Sequence, residues 1–96
     1  MTPAHIHLIR YALELGHTVS VDDGEEWVVK RSTDMQDILA AVNSVDMSTL
    51  LIRDADGKEL GRAAVCDQGE PDETIWDNTI TPFMETWDDV YMALNY

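Results

Sequence analysis

Residues 17–30, His17-Thr18-Val19-Ser20-Val21-Asp22-Asp23-Gly24-Glu25-Glu26-Trp27-Val28-Val29-Lys30, decide the fold. His17 to Val21 alternates polar and apolar, the period-two pattern of a half-buried strand. Asp22-Asp23-Gly24 supplies a turn, because an Asp-Gly pair tolerates the backbone twist that joins antiparallel strands. Glu26 to Lys30 then returns. The stretch reads as a β-hairpin.

Working outward, the segment before the hairpin reads as a helix over about 3–15. Thr2 can cap it and Pro3 fits the first helical position. Ile6, Ile9 and Leu13, with Leu8 and Ala12 alongside, recur at helical spacing, and Gly16 stops the run. After the hairpin, Thr33 with Gln36 forms a capping box for a helix over about 33–44. Its apolar stripe is Met35, Ile38, Leu39, Val42 and Val45.

A second hairpin follows, Leu50 to Arg53 and Glu59 to Cys66, around Asp54-Ala55-Asp56-Gly57. Gly61 marks a bulge or a close backbone approach. Residues 67–79 read as an acidic loop pinned to the core by Trp76 and Ile80. Thr81-Pro82 repeats the start signal of Thr2-Pro3. Phe83, Trp87, Val90, Tyr91 and Leu94 then share one face of a helix over about 82–94.

The expected fold is therefore a single α+β domain in the order α-ββ-α-ββ-α. A four-stranded antiparallel sheet with helices mainly on one face is the simplest packing. Residues 17–45 and 48–94 have the look of two degenerate ββα units. Ninety-six residues suffice for one domain and not two. A domain of this size buries roughly 60–65% of its unfolded surface, enough for one modest core.

Charge is the chain's outstanding property. Nineteen acidic and 6 basic residues give a net charge of −13, and 45% of residues are apolar. All 6 basic residues lie before Ala63, whereas residues 63–96 hold eight acids, Asp67, Glu70, Asp72, Glu73, Asp77, Glu85, Asp88 and Asp89, and no Lys or Arg. Such a balance opposes direct binding to nucleic acid and to anionic membranes. The lone Cys66, with no leader and no long apolar run, points to the cytoplasm, where Cys66 is a small strand residue.

Glu85, Asp88 and Asp89 fall at i, i+3 and i+4, so three carboxylates stand about 5–6 Å apart on one helix face with no cation in the same helix. A face needed only for solubility usually mixes both signs. These three, with Asp72, Glu73, Asp77 and the anchor Trp76, form the candidate partner-binding set. Trp27 and Trp87 read as core anchors.

Catalytic and metal chemistries lack their residue patterns. Asp54-Ala55-Asp56-Gly57 with Glu59 puts glycine fourth, not sixth as a calcium loop requires, so it reads as a turn. Asp22-Asp23-Gly24-Glu25-Glu26 reads the same way, with weak cation binding as a minor alternative. His5 and His7 point to opposite sides of a helix, and His17 lies beyond Gly16. The acids sit in turns and on an exposed face, the wrong setting for a glycosidase pair, and no nucleophile elbow is present. No enzyme activity, cofactor or metal is expected.

The run His17 to Val21, Gly24 to Trp27 and Val29-Lys30-Arg31-Ser32-Thr33-Asp34, with Arg53 to Gly57 and Pro71-Asp72-Glu73, resembles short acidic phage and prophage accessory proteins. That resemblance implies an accessory role on host machinery in the host cytoplasm, and it carries no active residues to transfer. The expected function is a non-enzymatic interaction protein that offers an acidic surface to a basic protein site, as an inhibitor or nucleic-acid mimic. The alternative is an oligomerisation module, a homodimer through the open sheet face, with a merely solvated acidic face.

Overall fold

Asp22-Asp23-Gly24 turns the chain as its chemistry requires. In the computed structural model, which describes residues 2–66 and 74–95, Gly24 takes φ +102 and the Asp22 carboxylate accepts its N–H at 2.8 Å. Asp23 Oδ1 accepts the N–H groups of Glu25 and Glu26. The Glu26 and Glu25 amides hold the Asp23 carboxyl below the ordinary carboxylate range, because they favour its charged form. On either side run β1 (Thr18–Asp22) and β2 (Trp27–Ser32), paired antiparallel.

The remaining elements are α1 (Ala4–Glu14), α2 (Met35–Asn43), β3 (Met47–Arg53), β4 (Glu59–Cys66), β5 (Ile75–Asn78) and α3 (Pro82–Asn95). The α+β class and the single domain are as expected, but the sheet has five strands, not four. Its order is β2-β1-β3-β4-β5, antiparallel throughout. The fifth strand lies within the segment read as a loop. Its four residues, Ile75-Trp76-Asp77-Asn78, are too short and too polar to announce a strand. They form one because the outer edge of β4 accepts them: Cys66 N–H donates to the Thr74 carbonyl at 2.8 Å and Thr79 N–H to that of Arg62 at 3.0 Å.

Alternation divides the sheet into two unlike faces. Val19, Val21, Leu50, Ile52, Ala63 and Val65 point one way and are buried. Register aligns Val19 with Ile52, and Val21 with Leu50 and Ala63. All three helices pack on this face, through Leu8, Ile9 and Ala12 of α1, Ile38 and Val42 of α2, and Met84, Trp87 and Tyr91 of α3. Three core assignments in the second half of the chain change. Leu94, in the last turn of α3, is 69% exposed, whereas Met84, in its first turn, is buried; Trp76 and Ile80, at 58% and 85% exposed, pin nothing. Ile75 packs against the core instead, and buried Thr74 accepts the His5 backbone N–H through Oγ1 at 3.1 Å.

The helix ends are read nearly as written. Gly16 at φ +84 closes α1 in a Schellman turn, with Gly16 N–H on the Leu13 carbonyl and His17 N–H on that of Ala12. Asp34, not Thr33, caps α2, its carboxylate accepting the Gln36 N–H. Pro3 stands at the α1 N-cap, so no Thr2 side-chain cap forms; the Thr2 carbonyl instead accepts the Tyr91 hydroxyl at 2.9 Å. Thr81 begins α3 by donating to the Leu60 carbonyl while its hydroxyl oxygen accepts the Met84 N–H.

Gly61 is a close approach. A Cβ built there would lie 2.5 Å from Met84 Cγ and 2.8 Å from its Sδ, and Met84 is fully buried with nowhere to move. Gly61→Ala is therefore expected to destabilise by about 1–3 kcal/mol through overpacking. Urea unfolding reads this directly, and an unchanged midpoint would mean that α3 shifts off β4 without cost.

Candidate functional site

Of the acids after Arg62, the described ones, Asp77, Glu85, Asp88 and Asp89, lie on two sides of the edge strand β5. Glu85, Asp88 and Asp89 are all exposed on α3, whose buried face is Met84, Trp87 and Tyr91. Asp88 is not fully opposite that face. It borders a crevice of about 100 Å³ shared with Ala4, Ile75, Asn78, Trp87, Tyr91 and Met92, so α3 and β5 meet there.

Asp77 lies elsewhere. It pairs with Ala64, on the sheet face away from the helices, where it shares a shallow hollow with Arg62 and Thr49. Its Oδ1 accepts the Asn78 N–H at 3.0 Å. Trp76, between the two sides at a register shift in the β4–β5 pairing, is exposed on the sheet edge. Asp72 and Glu73 lie outside the described residues. The structure thus brings Asp88 to the β5 edge and leaves Asp77 on the other face.

Trp87 anchors this region as expected. Its Nε1–H donates to His7 Nδ1 at 3.0 Å, and its ring stacks on Tyr91 with centroids 5.6 Å apart. Burial, then the nearby Arg10, lowers the His7 pKa below 6.5, with Glu14 opposing. The neutral imidazole is the form that can accept from Trp87. A lowered native pKa means the unfolded chain binds the proton more readily. The His7 contribution is therefore complete above pH 6.5 and is lost as pH falls through the lowered native value. Wild type should lose stability relative to His7→Asn over that interval, measured by thermal unfolding at stepped pH. Parallel curves would remove His7 from the account.

Trp27 departs from expectation. It is half-buried on the helix-free face, where it lines a cavity of about 390 Å³ with Ser20, Lys30, Arg31 and Arg53. Four of the chain's basic residues, Lys30, Arg31, Arg53 and Arg62, sit on sheet strands. Alternation held a signal for this: Ser20 lies between the core residues Val19 and Val21, and Arg53 follows Ile52, so both had to point away from the core.

Among the described residues, no group of His, Cys, Asp and Glu is arranged to hold a metal ion. No described helix is long and apolar enough to cross a membrane. No family model matches the sequence, and the comparisons with curated proteins and with solved structures found no match.

Proposed function

We propose that this is a non-enzymatic interaction protein whose α3 and β5 side docks on a basic surface of another protein. The observation that carries the reading is the coincidence of acid and exposed apolar surface in one region. Asp88 shares its crevice with Met92, which is itself exposed, and Glu85 and Asp89 flank Asp88 on the helix. Trp76 stands exposed on the adjoining edge strand. Residues 63–96 contain no Lys or Arg to neutralise these carboxylates. Charge steers a basic partner and an exposed aromatic ring gives it an anchor.

The finer reading is a phage-encoded inhibitor that occupies a host protein's nucleic-acid groove. It is supported by the i, i+3, i+4 spacing of Glu85, Asp88 and Asp89 and by the resemblance to phage accessory proteins. Asp77 would contact a partner only by wrapping round the β5 edge. The test is capture from bacterial lysate by the immobilised protein at low and high salt. A bound basic protein released by salt and displaced by duplex DNA is the expected result, because exposed charges are screened beyond roughly 8 Å at physiological ionic strength. Capture indifferent to salt would overturn the electrostatic reading.

A further inference from the structure

We propose that the cavity beside Trp27 binds a small phosphorylated compound with a planar ring, of mononucleotide size. The site is independent of the acidic side and opposite to it in charge. Lys30, Arg31 and Arg53 converge on it from two strands that are not neighbours, β2 and β3. Like charges so gathered repel one another unless an anion lies between them. Among the described residues, none of the three makes an ion pair, although the chain holds 19 acids. In the adjoining turns, Asp22 accepts the Gly24 N–H, and Asp54 accepts those of Asp56 and Lys58.

The backbone is shaped for this purpose. Arg31 has φ +50, and it is the one non-glycine residue with positive φ among those described. An arginine there is strained, and such strain gathers at ligand sites. Its N–H leaves the regular ladder and donates to Ser20 Oγ at 2.9 Å. Its guanidinium lies over Gly57 of the β3–β4 turn, with Nη1 3.5 Å from where a Cβ would stand. Ser20 is 98% buried. With its oxygen accepting from Arg31, its hydroxyl proton remains to donate to a ligand.

The dimensions choose the ligand class. A cavity of about 390 Å³ falls in the usual range for small-molecule sites, roughly 300–1,000 Å³. A phosphate alone would leave much of it empty. Trp27 supplies an aromatic surface on which a base can stack while the guanidinium groups take the phosphate. The net charge of −13 opposes any anion at long range, but that repulsion is screened beyond roughly 8 Å at physiological ionic strength, whereas close contacts inside the cavity are screened much less.

AMP titration followed by tryptophan fluorescence and calorimetry tests the site, with adenosine and inorganic phosphate as separate arms. Saturable quenching by AMP at sub-millimolar concentration is expected, with either fragment much weaker. Trp27→Phe should remove the optical response. Arg53→Gln and Arg31→Gly should each weaken binding about tenfold or more. Arg31→Gly also relieves the backbone strain, so its melting temperature should not fall, and it keeps the test valid if Arg53→Gln folds poorly. No saturable response at millimolar AMP, equal affinity for adenosine, or variants that bind like wild type would each overturn the proposal. So would an oligonucleotide whose affinity grows with length and exceeds that of AMP, since that would make the face a nucleic-acid surface.

Discussion

Trp87→Ala is expected to lower the unfolding free energy by about 3–5 kcal/mol, the range for deleting a buried aromatic side chain. The size follows from position. Trp87 is buried at the junction of α1 and α3, donates to His7 Nδ1 and stacks on Tyr91. Its removal opens a cavity and leaves His7 without that donor. Trp76→Ala provides the contrast, because Trp76 is exposed on β5 and should change stability by no more than about 0.5 kcal/mol. Urea denaturation of both variants decides the matter. A Trp76 loss equal to that of Trp87 would show that β5 is held by the residue the structure leaves outside.

The second large effect is on association. Asp88→Lys combined with Asp89→Lys is expected to weaken capture of a basic partner by at least about tenfold at low ionic strength. Each substitution changes the charge by two, so the net charge moves from −13 to −9. Lower self-repulsion should at the same time raise thermal stability in low salt, and the gain should shrink as salt is added. The two readings of this face separate here. A solvated face predicts the gain in stability alone, whereas a docking face predicts that gain together with lost binding. Full binding by the double variant would dismiss the docking face.

The hairpins, the three helices and the helix-covered side of the sheet were legible because each rests on a local signal. Alternation from His17 to Val21, the Asp-Gly turn and the Thr-Pro start act within a few residues. β5 was not legible, because it is made by the free edge of β4 and not by its own composition. The same reason explains why Met84 was missed: helical periodicity marks a stripe, but the close approach of β4 at Gly61 brings Met84 into the core. The exposed carboxylates Glu85, Asp88 and Asp89 were legible from i, i+3, i+4 spacing. That Asp77 faces away from them was not, since it depends on the β4–β5 register. Trp27 was misplaced because a tryptophan in an apolar strand suggests a core, and only the irregular pairing of β2 with β1 places it on the side that Ser20 and Arg53 share.

Three of the hydrogen bonds that seat α1 come from residues far along the sequence. His5 N–H reaches Thr74, His7 meets Trp87, and the Thr2 carbonyl accepts from Tyr91, separations of 69, 80 and 89 residues. Helix α1 is synthesised well before these partners. It must therefore wait beside the growing chain with Leu8, Ile9 and Ala12 only partly covered. Closing such distant contacts carries the entropy of long loops and slows folding. Docking of α1 against α3 must then follow the synthesis of Tyr91. During that interval the dense negative charge, which weakens the finished fold, keeps neighbouring nascent chains apart.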